Sequence, residues 1–87
     1  MNSKQRKTLE KIFDVPTRSD IEWKDITNFL EALEAEITEG RGSRVRIELH
    51  GVRAVFHRPH PKKETDKGSV NSMKRFLTEA GVTINEI

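Results

Sequence analysis

Two runs of alternating side chains, Arg44 to Leu49 and Val52 to His57, flank a His50-Gly51 pair, and that arrangement leaves the chain little freedom. Val45, Ile47 and Leu49 alternate with Arg44, Arg46, Glu48 and His50, the period of two expected of a strand with one buried face. His50-Gly51 suits a two-residue hairpin turn in which glycine takes a position needing positive φ. With that turn, Leu49 faces Val52, Ile47 faces Ala54 and Val45 faces Phe56, so every inward pair is apolar. Outward, Glu48 faces Arg53, Arg46 faces Val55, and Arg44 faces His57. A slip of one residue would expose the apolar set and bury the charges.

The flanking segments have their own periods. Asn2 to Phe13 reads as a short, charged helix with Leu9, Ile12 and Phe13 as its apolar contacts, broken by Pro16 and the Thr-Arg-Ser after it. Ser19 followed by Glu22 fits a capping box. Trp23, Ile26, Leu30, Leu33 and Ile37 then lie on one helical face, with the helix predicted to end near Glu34. Residues 35–39 read as a first strand, and Gly40-Arg41-Gly42-Ser43 as a β-turn rather than a phosphate loop, since the Gly-Lys-Ser/Thr ending is absent. The stretch from His57 to Lys67, with Pro59 and Pro61, reads as a loop. Asp66 is the expected N-cap of a helix from about Gly68 to Ala80, with Val70, Met73, Phe76, Leu77 and Ala80 as its stripe and Gly81 as terminator. The tail from Val82 to Ile87 is apolar enough to pack, or to pair as a strand with a partner. The expected fold is α+β, a three-stranded antiparallel sheet with both helices on its apolar face and the arginine face left free. Residues 1–18 are expected to form a helical extension and residues 19–87 the domain.

Eighty-seven residues suit one domain with a modest core. The absence of cysteine excludes a disulfide framework and a thiolate metal site. No apolar run approaches the roughly 20 residues of a membrane span, and the Met-Asn-Ser-Lys start lacks the apolar stretch of a secretion signal. A cytoplasmic location, no membrane partner and no cofactor are expected. The net charge of +2 hides an asymmetry. Residues 20–39 carry seven acids and one base, whereas residues 40–67 carry eight bases and three acids. Arginines and lysines clustered about a hairpin suit an anionic partner such as RNA.

The chemistry these groups suit is RNA cleavage without metal. A neutral imidazole can take the proton of a 2′-hydroxyl, a second group can protonate the leaving oxygen, and guanidinium groups can stabilise phosphoryl charge. Histidine titrates near neutrality; arginine stays protonated, but its planar fork matches phosphate. His57 or His60 is the candidate proton-transfer group and Arg44 the electrostatic clamp. Arg41, Arg44, Arg46, Arg53, Arg58, Lys62, Lys63 and Lys67 are the candidate RNA contacts. His50 belongs to the turn and should exchange for asparagine without loss of activity. Trp23 and the phenylalanines follow core spacing. A metal site is weakly supported, because no two histidines share a helical face.

Gly42-Ser43 before the second strand, Arg58-Pro59-His60, Lys67-Gly68-Ser69-Val70 and the run Phe76-Leu77-Thr78-Glu79-Ala80-Gly81-Val82 together resemble the HicA-type toxins of toxin–antitoxin modules. The resemblance covers roughly residues 20–83. It implies a fold like the double-stranded-RNA-binding domain, α-β-β-β-α, here with an extra short N-terminal helix. It further implies an endoribonuclease that cleaves mRNA and arrests growth, neutralised by a HicB-like antitoxin. The family's catalytic histidine follows a Gly-Ser or similar pair at the start of the second strand, which in this chain is Arg44. Three readings stay open. His57 has taken over the role, His60 has, or the domain is a catalytically silent module that binds RNA and antitoxin.

Overall fold

The computed structural model describes residues 1–84. Its elements run α1 (Ser3–Ile12), β1 (Ile21–Glu22), α2 (Trp23–Ala32), β2 (Glu36–Glu39), β3 (Arg44–Leu49), β4 (Val52–His57), β5 (Glu64–Thr65) and α3 (Lys67–Glu79). Strands β2, β3 and β4 form an antiparallel sheet in that order, and β1 pairs with β5 in a separate two-stranded ribbon. The α-β-β-β-α order expected from the sequence is present, preceded by α1. Among the described residues no helix is long and apolar enough to cross a membrane.

The hairpin register is the one its alternation demands. Arg44 pairs with His57, Val45 with Phe56, Arg46 with Val55, Ile47 with Ala54, Glu48 with Arg53 and Leu49 with Val52. The turn uses φ of +50° at His50 and +81° at Gly51. Both are left-handed, as a turn matching the strands' own twist requires. Histidine tolerates that region better than most side chains. His50 also does something that spacing could not show. Its Nδ1 lies 2.7 Å from the carbonyl of Ala80, at the end of α3. A carbonyl only accepts, so Nδ1 carries the proton there.

Each helix shows why it starts and stops where it does. Asn2 caps α1, its side chain accepting from the Gln5 N–H while the Gln5 side chain accepts from the Asn2 N–H. Asp66 caps α3 by accepting from the Ser69 N–H at 2.7 Å. The expected capping box at Ser19 and Glu22 does not form. Helix α2 begins at Trp23, and its preceding residue Glu22 makes no side-chain cap. Ile21 and Glu22 instead pair with Thr65 and Glu64, and the Lys63 carbonyl accepts the Trp23 N–H at 3.0 Å. A distant segment thus satisfies a helix-start donor that a local side chain was expected to meet. The same pairing places a short strand inside the region read as an uninterrupted loop.

Helices α2 and α3 end alike. The Ala35 N–H bonds to Leu30 and the Glu34 N–H to Glu31, while the Val82 N–H bonds to Leu77 and the Gly81 N–H to Thr78. Both are Schellman closures, which need a left-handed residue. Gly81 supplies it with φ of +82°, but Glu34 supplies it with φ of +64° and carries a Cβ.

One core lies between the sheet and the three helices. Leu9 and Ile12 of α1, Ile26, Phe29 and Leu30 of α2, Val45, Ile47 and Leu49 of β3, and Val70, Met73 and Leu77 of α3 belong to a single cluster. Phe29 fell outside the helical face picked by spacing, yet it is fully buried. Phe56 stacks at a tilt with Trp23 (centroids 6.4 Å apart) and edge-on with Phe76 (5.9 Å), so the end of β4 is clamped between α2 and α3. Between α1 and β1, Arg18 donates to Asp14 and Asp20, and this guanidinium holds the Asp20 carboxyl below its usual range. In the tail, Val82 is buried; residues 85–87 lie outside those described.

Two outcomes follow for stability. His50→Asn keeps a residue suited to the turn but loses the bond to Ala80. It should cost about 1 kcal/mol in denaturant unfolding. The exchange expected to leave activity unchanged thus carries a cost in stability. Glu34→Gly removes the left-handed penalty and should raise stability by about 1 kcal/mol in the same measurement.

Candidate functional site

In an antiparallel pair, hydrogen-bonded and non-hydrogen-bonded positions alternate, and side chains approach more closely at the latter. The phase here is set by the two-residue turn. It is extended past β4 by the Arg58 N–H, which donates to the Ser43 carbonyl at 2.7 Å. Arg44 and His57 therefore form a non-hydrogen-bonded pair, as do Arg46 with Val55 and Glu48 with Arg53. All three pairs lie on the face away from the helices, where Cβ atoms of facing residues sit about 4.5–5.5 Å apart.

Strand β2 extends these pairs into three rows. Glu36 stands beside Glu48, and Thr38 beside Arg46. The Gly40 N–H donates to the Arg44 carbonyl at 2.8 Å, which places a residue without a side chain next to Arg44. The face is thus polarised along the strands, with carboxylates at the Glu36–Glu48 end and Arg44 with His57 at the other. A shallow groove crosses the cationic end, lined by Thr38, Gly40, Arg41, Arg44, Arg46 and Val55 among others. The Gly40–Ser43 turn closes tightly, with Gly42 at φ of +62° and the Arg44 N–H donating to Arg41.

The candidate residues fall into separate groups. Arg44, Arg46, Arg53 and His57 share the exposed sheet face. Arg53 donates to Glu48 at 3.0 Å, the opposite-charge pair expected from the register. Arg41 sits on the adjoining turn. Arg58 is engaged elsewhere. It pairs with Glu39 at 2.6 Å and reaches the Gly42 carbonyl at 3.4 Å, so its guanidinium braces the two chain ends beside Arg44. His60 is exposed on the loop between Pro59 and Pro61, and among the described residues no hydrogen bond links it to His57. Lys62 and Lys63 are exposed where that loop meets the start of α2, and Lys67 opens α3. No group of three His, Cys, Asp or Glu side chains gathers among the described residues.

Sequence reasoning did not count Thr38, Gly40, Glu39 or Val55 among the candidates. Thr38 enters through β2, and Gly40 through the continuation of its register into the Gly40–Ser43 turn. Carrying the alternation over that turn would have placed Gly40 beside Arg44. Glu39 needed tertiary knowledge, because it is the Arg58 side chain folding back that gives it a role.

The arrangement offers a fixed cation and an imidazole as nearest cross-strand neighbours, open to solvent, beside a groove that a backbone phosphate could enter. No curated protein and no solved structure matches the chain. A family model described as HicA toxin of bacterial toxin–antitoxin matches residues 23–82, from the first residue of α2 to the closure of α3. That span is more than half of the chain and contains the whole three-stranded sheet. Helix α1 lies before it, although Leu9 and Ile12 share its core. Both the residues and the fold thus lead to one assignment: the chain belongs to the HicA toxin family of bacterial toxin–antitoxin modules.

Proposed function

We propose that this toxin is a metal-independent endoribonuclease that cleaves mRNA, with His57 as the proton-transfer group and Arg44 as the phosphate clamp. The observation that carries the reading is the direct cross-strand pairing of Arg44 with His57 at a close, non-hydrogen-bonded position. The resemblance places the family's catalytic histidine at Arg44, and a cross-strand exchange returns an imidazole to within a side chain's reach of that point. Membership of the family implies a HicB-type antitoxin as the partner that restrains the toxin. An mRNA substrate places the activity in the cytoplasm, and loss of message accounts for growth arrest.

In the proposed step, neutral His57 takes the proton of the 2′-hydroxyl. The 2′-oxygen forms a bond to the adjacent phosphorus, and the bond from phosphorus to the 5′-oxygen breaks. The leaving oxygen takes a proton from His60 or from water. The products are a 2′,3′-cyclic phosphate and a 5′-hydroxyl. Arg44 stabilises the charge that builds on the phosphoryl oxygens, and Arg46 and Arg41 hold neighbouring phosphates along the groove. Lys62, Lys63 and Lys67, on the loop and at the start of α3, are further RNA contacts outside the groove, with Arg53 contributing through the nitrogens its ion pair leaves free. Arg58 supports this arrangement by bracing Glu39 and Gly42 rather than by touching RNA.

Arg44 itself favours a second reading. An arginine cannot serve as a base near neutral pH, so the same face would suit a domain that binds RNA or an antitoxin without cutting. The two readings separate in one assay, incubation of a long single-stranded RNA with the antitoxin-free chain in EDTA. The ribonuclease reading expects fragments with cyclic phosphate ends, and a His57→Ala loss of at least about 100-fold with unchanged thermal unfolding. Intact RNA bound by folded protein would instead establish the silent module. On either reading Arg44→Ala should weaken RNA binding and flatten the plot of log affinity against log salt by about one phosphate contact.

A further inference from the structure

Strand β4 lies at one edge of the sheet. Since Val52, Ala54 and Phe56 direct their backbone groups at β3, the N–H and C=O groups of Arg53, Val55 and His57 point outward along that edge. Among the described residues none of these outward groups makes a backbone hydrogen bond. Such a row is a template for another strand unless the protein blunts it with proline, a short edge or a covering element. Here β4 is six residues long and contains no proline. Val55, at the middle of the row, is half exposed.

Beside that edge runs a groove between β4 and α3. Ala54 and Phe56 contribute from the strand; Ser72, Arg75, Phe76 and Glu79 contribute from the helix. An edge strand facing a helix across a groove is the setting in which peptides add as strands, with backbone bonds giving affinity and alternate side chains giving specificity. Charge decides the occupant. Arg53, which also pairs with Glu48, and His57 flank Val55 on one face. On the helix side Arg75 makes no ion pair among the described residues, not even with Glu79 of the same groove, so it is the cation left for a partner's carboxylate. A second copy of the chain, paired edge to edge about Val55, would set Arg53 against His57 twice and supply no carboxylate to either.

We infer that the outer edge of β4 accepts, as a fourth strand, an extended acidic segment of a partner protein, with carboxylates opposite Arg53 and His57 and an apolar side chain opposite Val55. That acid-x-apolar-x-acid pattern reads the same in both directions, so it fits a parallel or an antiparallel strand. The inference uses the backbone edge and the α3 groove, and stands whether or not the Arg44–His57 pair cuts RNA.

The test is amide hydrogen exchange by NMR on the full chain, with the capped heptapeptide Thr-Glu-Thr-Val-Thr-Glu-Thr as probe and its Lys-for-Glu version as control. The acidic peptide should slow exchange at the Arg53, Val55 and His57 amides at least tenfold, and the lysine version should not. Val55→Pro removes an outward donor while sparing the bonds to β3. It should weaken binding at least tenfold while the Ala54 and Phe56 amides stay protected. Should that variant unfold, Arg53→Glu with Arg75→Glu should switch preference to the lysine peptide. No binding, or binding that leaves the three amides fast or the preference of the charge-reversed protein unchanged, would overturn the inference. Protection without peptide that deepens with protein concentration would overturn it in favour of a second copy.

Discussion

The two-residue turn at His50-Gly51 governs most of this structure, because it sets both the register and the hydrogen-bond phase of β3 against β4. Both turn residues take left-handed φ, which lets the strands leave the turn with their natural twist. From that one choice, Phe56 points inward to meet Trp23 and Phe76, while His57 points outward beside Arg44. The same phase turns the Arg53, Val55 and His57 backbone groups to the sheet edge. Site and edge are thus two consequences of one alternation.

A hairpin alone is marginal in water, and this one is held at both ends by distant groups. At the turn, the His50 ring donates to the carbonyl of Ala80, so the closed end of the hairpin is tied to the end of α3. At the open end, the Arg58 N–H adds a further rung to Ser43, and the Arg58 guanidinium reaches Glu39 and Gly42. Beyond it, the Lys63 carbonyl and the β1–β5 ribbon fasten the departing loop to the start of α2. The open end therefore carries Arg44 and His57 between braces.

Family membership assigns the chain to toxins whose partner is an antitoxin, and the polarity of the sheet face suits an anionic substrate at the Arg44 end. Glu36 and Glu48 occupy the opposite end, so a polyanion is favoured in one place and repelled in the other. That asymmetry persists at the level of the whole chain, where the acids concentrate in residues 20–39 and the bases in residues 40–67. An acidic protein surface would be drawn to the same cations as RNA.

Local rules were enough for much of the fold. The alternation from Arg44 to His57 determined every rung of the hairpin, because only one register hides the apolar set. Asp66 and Gly81 marked the limits of α3 through capping chemistry that acts within a few residues. The pairing of Arg44 with His57 was legible for the same reason. Local rules failed wherever a group found its partner far along the chain. Ser19 and Glu22 matched a capping box, but a strand pairing with Glu64 and Thr65 and the Lys63 carbonyl took its place. Glu34 gave no glycine signal, yet the Schellman closure of α2 takes a left-handed residue there. His50 looked like a turn residue only, until α3 brought the Ala80 carbonyl to its ring. Arg58 gave no local sign of its ion pair with Glu39, which lies 19 residues back along the chain. The sequence by itself determined the elements, the hairpin register and the cationic face, since periodicity, turn geometry and charge act over short range. Only the tertiary structure decided which of those cations carry ion pairs and which helix lies beside the β4 edge, since both depend on what long-range packing brings alongside.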